Sequence, residues 1–330
     1  MQISRLYMLD GARGIAAFCI LLFHVAPREF SNFYIAVDFF FVLSGFVLAT
    51  SISRISSLLS ARKFLLSRFF RIFPMALAVY FYTACYDLLL ILKHWTLNEP
   101  QSPVIILSAP TLVFSFLMLQ VFYEPAMLVD WPIWSLSAEW IANIFVALVC
   151  IFTRKAKYIA LLIGACLIGA SSLFDSSTAN QIGRALWGFS VGLIAFGFSE
   201  RLLSYRKVTL AIFLSILPVS FFLQNLGEIA SLVTVWPFTA GIIFLSQVKT
   251  VPRLSRFCSQ FGEFSYGFYL WHFPMLALVG FLIRTIGINE TTLFGTIFLI
   301  VIGSILSIIA TKISLVFLEQ PIRRKWIKTL

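Results

Sequence analysis

Charge is scarce in this chain. Asp, Glu, Lys and Arg make up 12 % of its 330 residues, hydrophobic residues 60 %, and mean hydropathy is +0.95. Soluble globular domains carry roughly a quarter of their residues as charges, so this composition excludes one and indicates a polytopic membrane protein embedded in a lipid bilayer. Acid is scarcer than base, 14 Asp plus Glu against 25 Lys plus Arg, giving a net charge of +11. No basic stripe interleaves with polar aromatic positions, which argues against a nucleic-acid partner. Five cysteines (Cys19, Cys85, Cys150, Cys166, Cys258) form no C-x-x-C pair and there are three histidines, so neither a disulfide framework nor a metal site is expected. Low-complexity tracts and internal repeats are absent too, and an inverted repeat would have favoured a transporter. The first apolar stretch lacks an A-x-A-like cleavage site and carries Asp10 and Arg13; it reads as a retained first span, not a signal peptide.

What is present is a series of apolar stretches, at about 8–26, 35–53, 72–92, 104–121, 133–152, 158–174, 181–199, 208–225, 229–247, 262–286 and 292–317. Basic residues cluster between them. If 104–121 dips in without crossing, 19 of the 25 Lys and Arg fall on one side, in the N-terminus, the 54–71 connection, 154–157, 201–207, 249–256 and the C-terminal tail. The positive-inside rule makes that side the cytoplasm. The expected fold is therefore all-α: one polytopic helix bundle over 1–330, about ten transmembrane helices with both termini cytoplasmic, plus a re-entrant or interfacial segment near 104–121. Pro100, Pro103, Pro110, Pro125 and Pro132 punctuate that outer segment, as broken cavity-lining backbone does.

Ionisable residues inside spans are unfavourable enough to mark function. Arg13 and His24 are eleven residues apart in the first span, about three turns or 16 Å along one helix face, and Asp10 joins the stripe. A neutral imidazole can take a proton from a hydroxyl, so His24 is a candidate general base; Arg13 stays charged and needs a partner. Ser44-Gly45 in the second span permits close helix approach or a small gap for an extended ligand. Asp38 just before it is near the outer interface, where water could hydrate it. Arg68 and Arg71, at i and i+3, suit a phosphate or pyrophosphate, and serve equally as cytoplasmic anchors. Glu139 sits about two turns into the span at 133–152, flanked by tryptophans, where it could orient a basic partner, bind acceptor hydroxyls or hold a charge within the bundle. Tyr266 and His272 lie in an aromatic stretch of a late span.

In order, R-x10-H (Arg13, His24), FFVLSGF (40–46), RxxR (Arg68, Arg71), WSLSAEW (134–140), SYGFYLWH (265–272) and the closing EQP (319–321) resemble the acyltransferase-3 family over about residues 7–322. The resemblance implies an integral-membrane acyltransferase of the bacterial cytoplasmic (inner) membrane, here a core without the SGNH-type domain that some members append. It implies acyl-CoA, most commonly acetyl-CoA, as a donor substrate with no permanently bound cofactor, and a hydroxyl-bearing acceptor such as a surface or exported glycan. It assigns His24, Arg13 and Glu139 to catalysis and Arg68 and Arg71 to acyl-CoA binding; Ser44 and Gly45, by their small size, are expected to join the acyl-CoA site. Asp10, Asp38, Trp134, Tyr266 and His272 are expected to line the site. Ala12 stands where a leucine is usual, and the aromatic pair often seen after Glu139 is missing. A proton-coupled transporter, with Glu139 and His272 as proton sites and no CoA dependence, is the alternative.

Overall fold

The computed structural model describes residues 6–97, 108–123, 130–215, 229–248 and 251–327, and among these there are helices and no strands. The long elements are α1 (Tyr7–Val25), α2 (Ala36–Ser53), α3 (Leu58–Leu97), the short α4 (Ala109–Phe116) and α5 (Ile133–Phe152). They continue with α6 (Ala156–Phe174), α7 (Ser177–Phe198), α8 (Arg206–Leu214), α9 (Ala230–Ser246), α10 (Pro252–Thr285), α11 (Leu293–Ser314) and α12 (Gln320–Ile327). Among the described residues seven helices, α1, α2, α3, α5, α6, α10 and α11, are long and apolar enough to cross a membrane. In addition, α7 has 22 residues with a polar opening (Asn180, Gln181, Arg184), and α9 is a shorter apolar helix of 17. The protein is thus an all-α polytopic membrane helix bundle, because in hydrocarbon each backbone donor and acceptor must be satisfied within its own segment.

The stretch near 104–121 holds α4, eight residues long and so about 12 Å, too short to cross. Ser108 caps it by accepting the Thr111 amide hydrogen bond, with proline in the first turn. A 3₁₀ turn (Gln120–Phe122) follows. Of the stretch at 208–225, the described part is α8 up to Leu214; its remainder lies outside the described residues.

The chain divides into two compact units, residues 1–65 with 141–266, and residues 66–140 with 267–330. In the first, α2 and α7 pack backbone to backbone. A Cβ on Gly45 would collide with the Phe189 carbonyl oxygen, and one on Gly192 with that of Val42, so only hydrogen at these positions permits the approach. Helix α6 reverses into α7 through Asp175, in the left-handed region at φ 49°, and Ser176, which caps α7 by accepting from the Ala179 amide. In the second unit, Trp271 on α10 donates its indole N–H to Ser314 on α11 at 3.0 Å, and Tyr82 on α3 meets the Trp271 ring edge-on at 5.5 Å.

Candidate functional site

In the first unit the polar stripe of α1 falls on that helix's buried side. At 100° per residue, Asp10, Arg13 and His24 lie within about 60° of one another, on the side of the helix that carries the buried Leu9, Gly14, Ala17, Ile20 and Leu21. The opposite side carries Ile15, 64 % exposed. That outer side also lines an apolar groove of about 520 Å³, with Gly11, Ile15 and Cys19 facing Phe238 and Phe261. Arg13, Asp10 and His24 are each half-buried. Asp10 packs against Gly262 of α10, where a side chain would clash with it, and the His24 ring meets Phe23 edge-on at 5.1 Å.

Asp38 corrects an expectation. Water does not hydrate it: it is 1 % exposed and held by α7 and α9. Arg184 Nε donates to its Oδ1 at 3.0 Å, and the Thr234 hydroxyl donates to Oδ2 at 3.1 Å. Arg184 also lies over the Tyr34 ring, 5.6 Å from the centroid, and Tyr34 is 6.3 Å from Phe23. A desolvated carboxylate must be paired and hydrogen-bonded, and here the partners come from two other helices. Sequence reasoning missed Arg184 and Thr234; the available signal was an arginine with no obvious function in a mostly apolar stretch. Gly45 is committed to the α2–α7 contact, and Ser44 beside it is half-buried.

In the second unit the WSLSAEW segment is a polar hub. Glu139 accepts from Arg68 Nη2 at 2.9 Å, each side chain 14 % exposed. The Phe69 ring next to this pair stacks on Phe73 at 4.7 Å and lies 5.9 Å from Trp140. Ser137 donates to the Met118 carbonyl at 3.0 Å and accepts from the Val121 amide at 3.2 Å, binding α5 to the short non-crossing segment. Ser135 and the Tyr269 hydroxyl are 2.6 Å apart, and both reach the Pro132 carbonyl at 3.0 Å. Arg68 and Arg71 diverge: one turns inward to Glu139, the other is exposed. His272 is fully buried, its Nδ1 2.6 Å from the Tyr269 carbonyl, a contact that makes Nδ1 the donor. Trp134 is half-buried, as is Tyr266, the last residue of the first unit. The structure thus joins Glu139 to Arg68, and Asp38 to a residue outside the expected set. Arg13 and His24 share one face of one helix. Among the described residues no group of three or more His, Cys, Asp or Glu gathers as metal ligands.

Comparison with known proteins places the chain in a family. The family profile described as "Acyltransferase domain" (acyltransferase-3) matches residues 6–312. The chain is 25 % identical over 324 residues, 91 % of its length and 80 % of the relative's, to a protein of Komagataeibacter xylinus provisionally named membrane-bound transacylase BcsY. It is 39 % identical over 77 residues, 22 % of its length and 40 % of the relative's, to "Protein 2 in picA locus" of Rhizobium radiobacter. No solved structure matches.

Proposed function

This chain belongs to the acyltransferase-3 family, and on that premise we propose that it moves an acyl group, acetyl in the commonest case, from cytoplasmic acyl-CoA to a hydroxyl of a cell-surface or exported glycan. The observation that carries the reading is the position of Arg13 and His24 on the buried side of a membrane-spanning helix. A permanent cation and an imidazole in that place are retained for chemistry, since lipid-facing apolar residues would serve the span better.

In this reading His24 removes the proton from the acceptor hydroxyl as its oxygen attacks the thioester carbonyl carbon. The carbon–sulfur bond breaks, and the proton returns from His24 to the departing thiolate, leaving acylated acceptor and free CoA. Holding both substrates in register contributes much of the acceleration. Arg13 orients the donor arm. Arg68 and Arg71 take the CoA phosphates, for which a planar guanidinium is suited, and Glu139 sets the direction of the Arg68 fork. The whole of 1–330 acts as one catalytic domain of the bacterial cytoplasmic membrane. The grouping of basic residues on one side of the spans supports both termini being inside.

The test is turnover. Purified protein in liposomes, given acetyl-CoA labelled in the acetyl group, releases CoA and passes label to a glycan acceptor. Solute uptake without release of CoA would instead identify a proton-coupled carrier.

A further inference from the structure

The second unit holds a buried polar cluster that the roles above leave unused. Asp130, just ahead of α5, is fully buried, and neither of its carboxyl oxygens has a hydrogen-bond partner among the described residues. Gln120, in the turn after α4, is fully buried too. Its amide NH₂ donates to the Tyr80 hydroxyl and, at 3.4 Å, to the Ser115 carbonyl, while its Oε1 is unpaired among the described residues. The Ser115 hydroxyl is buried and unpaired in the same sense. Tyr80 and Asp130 lie close enough to interact electrostatically.

Buried polar groups are satisfied in the great majority of folded proteins, so a cluster that gathers three unmet ones is shaped for a partner that meets them. The chemistry of that partner is readable. A carboxyl, an amide carbonyl and an aliphatic hydroxyl all accept hydrogen bonds. Burial holds the Asp130 carboxyl well above the usual carboxylate range, so the group also donates. Such a set suits a neutral ligand with adjacent hydroxyls, each of which donates one bond and accepts another. Its place fits as well. On α3, Tyr80 is twelve residues from Arg68, about 18 Å along the helix, so the unit carries one node matched to phosphate and, a distance away, one matched to hydroxyls.

We infer that Asp130, Gln120 and Ser115, backed by Tyr80, form the subsite that recognises a pair of hydroxyls on a sugar acceptor and so selects what is acylated. This rests on the acyl-transfer reading above. The experiment measures transfer from labelled acetyl-CoA to methyl glucoside, methyl galactoside and methyl mannoside by the wild type, Asp130→Ala and Gln120→Ala in liposomes. Both variants raise KM for each accepted glycoside about tenfold or more, while KM for acetyl-CoA stays within about twofold of wild type. Wild-type protein that never releases CoA defeats the acyl-transfer reading. Wild type that turns over with unchanged glycoside KM in both variants, or that accepts none of the glycosides, overturns the subsite alone. An infrared difference spectrum keeps the question open to refutation if a variant does not fold. Adding an accepted glycoside shifts a carboxylic-acid carbonyl band in wild type, and that band is missing from Asp130→Asn. A band that ignores glycosides, or responds to sodium chloride in their place, overturns the assignment.

Discussion

Arg68 and Glu139 are 71 positions apart in the chain and 2.9 Å apart in space. The contact unites two motifs that are unremarkable singly: a pair of arginines at a span entrance and a glutamate among tryptophans. It also separates the two arginines by role, since Arg68 is held in a half-dry setting while Arg71 is exposed. A guanidinium aimed by a carboxylate meets a phosphate in one orientation, with less ordering left to do on binding.

That pairing predicts a coupled energy. Glu139→Gln leaves Arg68 without its counter-charge at 14 % exposure and destabilises the protein by about 2–3 kcal/mol, below the range for a fully buried pair. It also raises KM for acyl-CoA. The exchange Arg68→Glu with Glu139→Arg recovers most of the stability. Unfolding in detergent, followed by tryptophan fluorescence, measures the stabilities of Glu139→Gln, Arg68→Glu, Glu139→Arg and the exchanged protein; strictly additive effects in the exchanged protein would reject the coupling.

His24 is expected to matter for rate and not for folding. His24→Ala and His24→Gln lower acyl transfer by about 10²–10⁴-fold, the usual contribution of a positioned acid–base group, with expression and unfolding temperature close to wild type. A near-normal rate of CoA release in either variant removes His24 from the mechanism.

The Asp38–Arg184 pair is a stability element with both partners dry, the side chains 1 % and 10 % exposed. Arg184→Met strands a buried carboxylate and destabilises by about 3–5 kcal/mol. Asp38→Asn combined with Arg184→Met restores much of the loss, because replacing both charges removes the unpaired one. Should the single and double variants unfold alike, the pair is not the cause.

Asp130 lies outside the spanning helices, and burial raises its carboxyl above the ordinary value of 3.8. The folded protein therefore binds a proton there that the unfolded chain gives up at lower pH. Its contribution to stability is fully present below about pH 4 and is lost as pH rises towards the folded-state value. Thermal unfolding of the wild type from pH 4 to 8 carries this downward slope, and Asp130→Asn, which has no proton to lose, lacks it. Equal slopes in the two proteins would show that another group titrates.

Much of this molecule is legible in its residues alone. Hydropathy places 133–152 on the bounds of α5, and the one-sided grouping of basic loops marks 104–121 as a non-crossing element, whose described part is α4 and a 3₁₀ turn. The repeat of polar residues on α1 falls on its buried side because helical geometry leaves little choice once the helix forms. Asp38 reads as hydrated from its neighbours in sequence and is not, because burial depends on what packs over a residue, and the covering atoms belong to α7 and α9. Gly45 could equally frame a ligand or a helix contact, and the Phe189 backbone against it shows which neighbour it has.

Composition and order of residues alone determined that this chain is a helical membrane protein, because transfer of a span into lipid is a sum over some twenty neighbours in sequence; the family resemblance rests on the ordered motifs, which are local as well. Which carboxylate meets which guanidinium was decided only by the tertiary structure. Asp38 and Arg184 are 146 positions apart, and no local pattern records a contact that exists only when distant helices pack and exclude water between them.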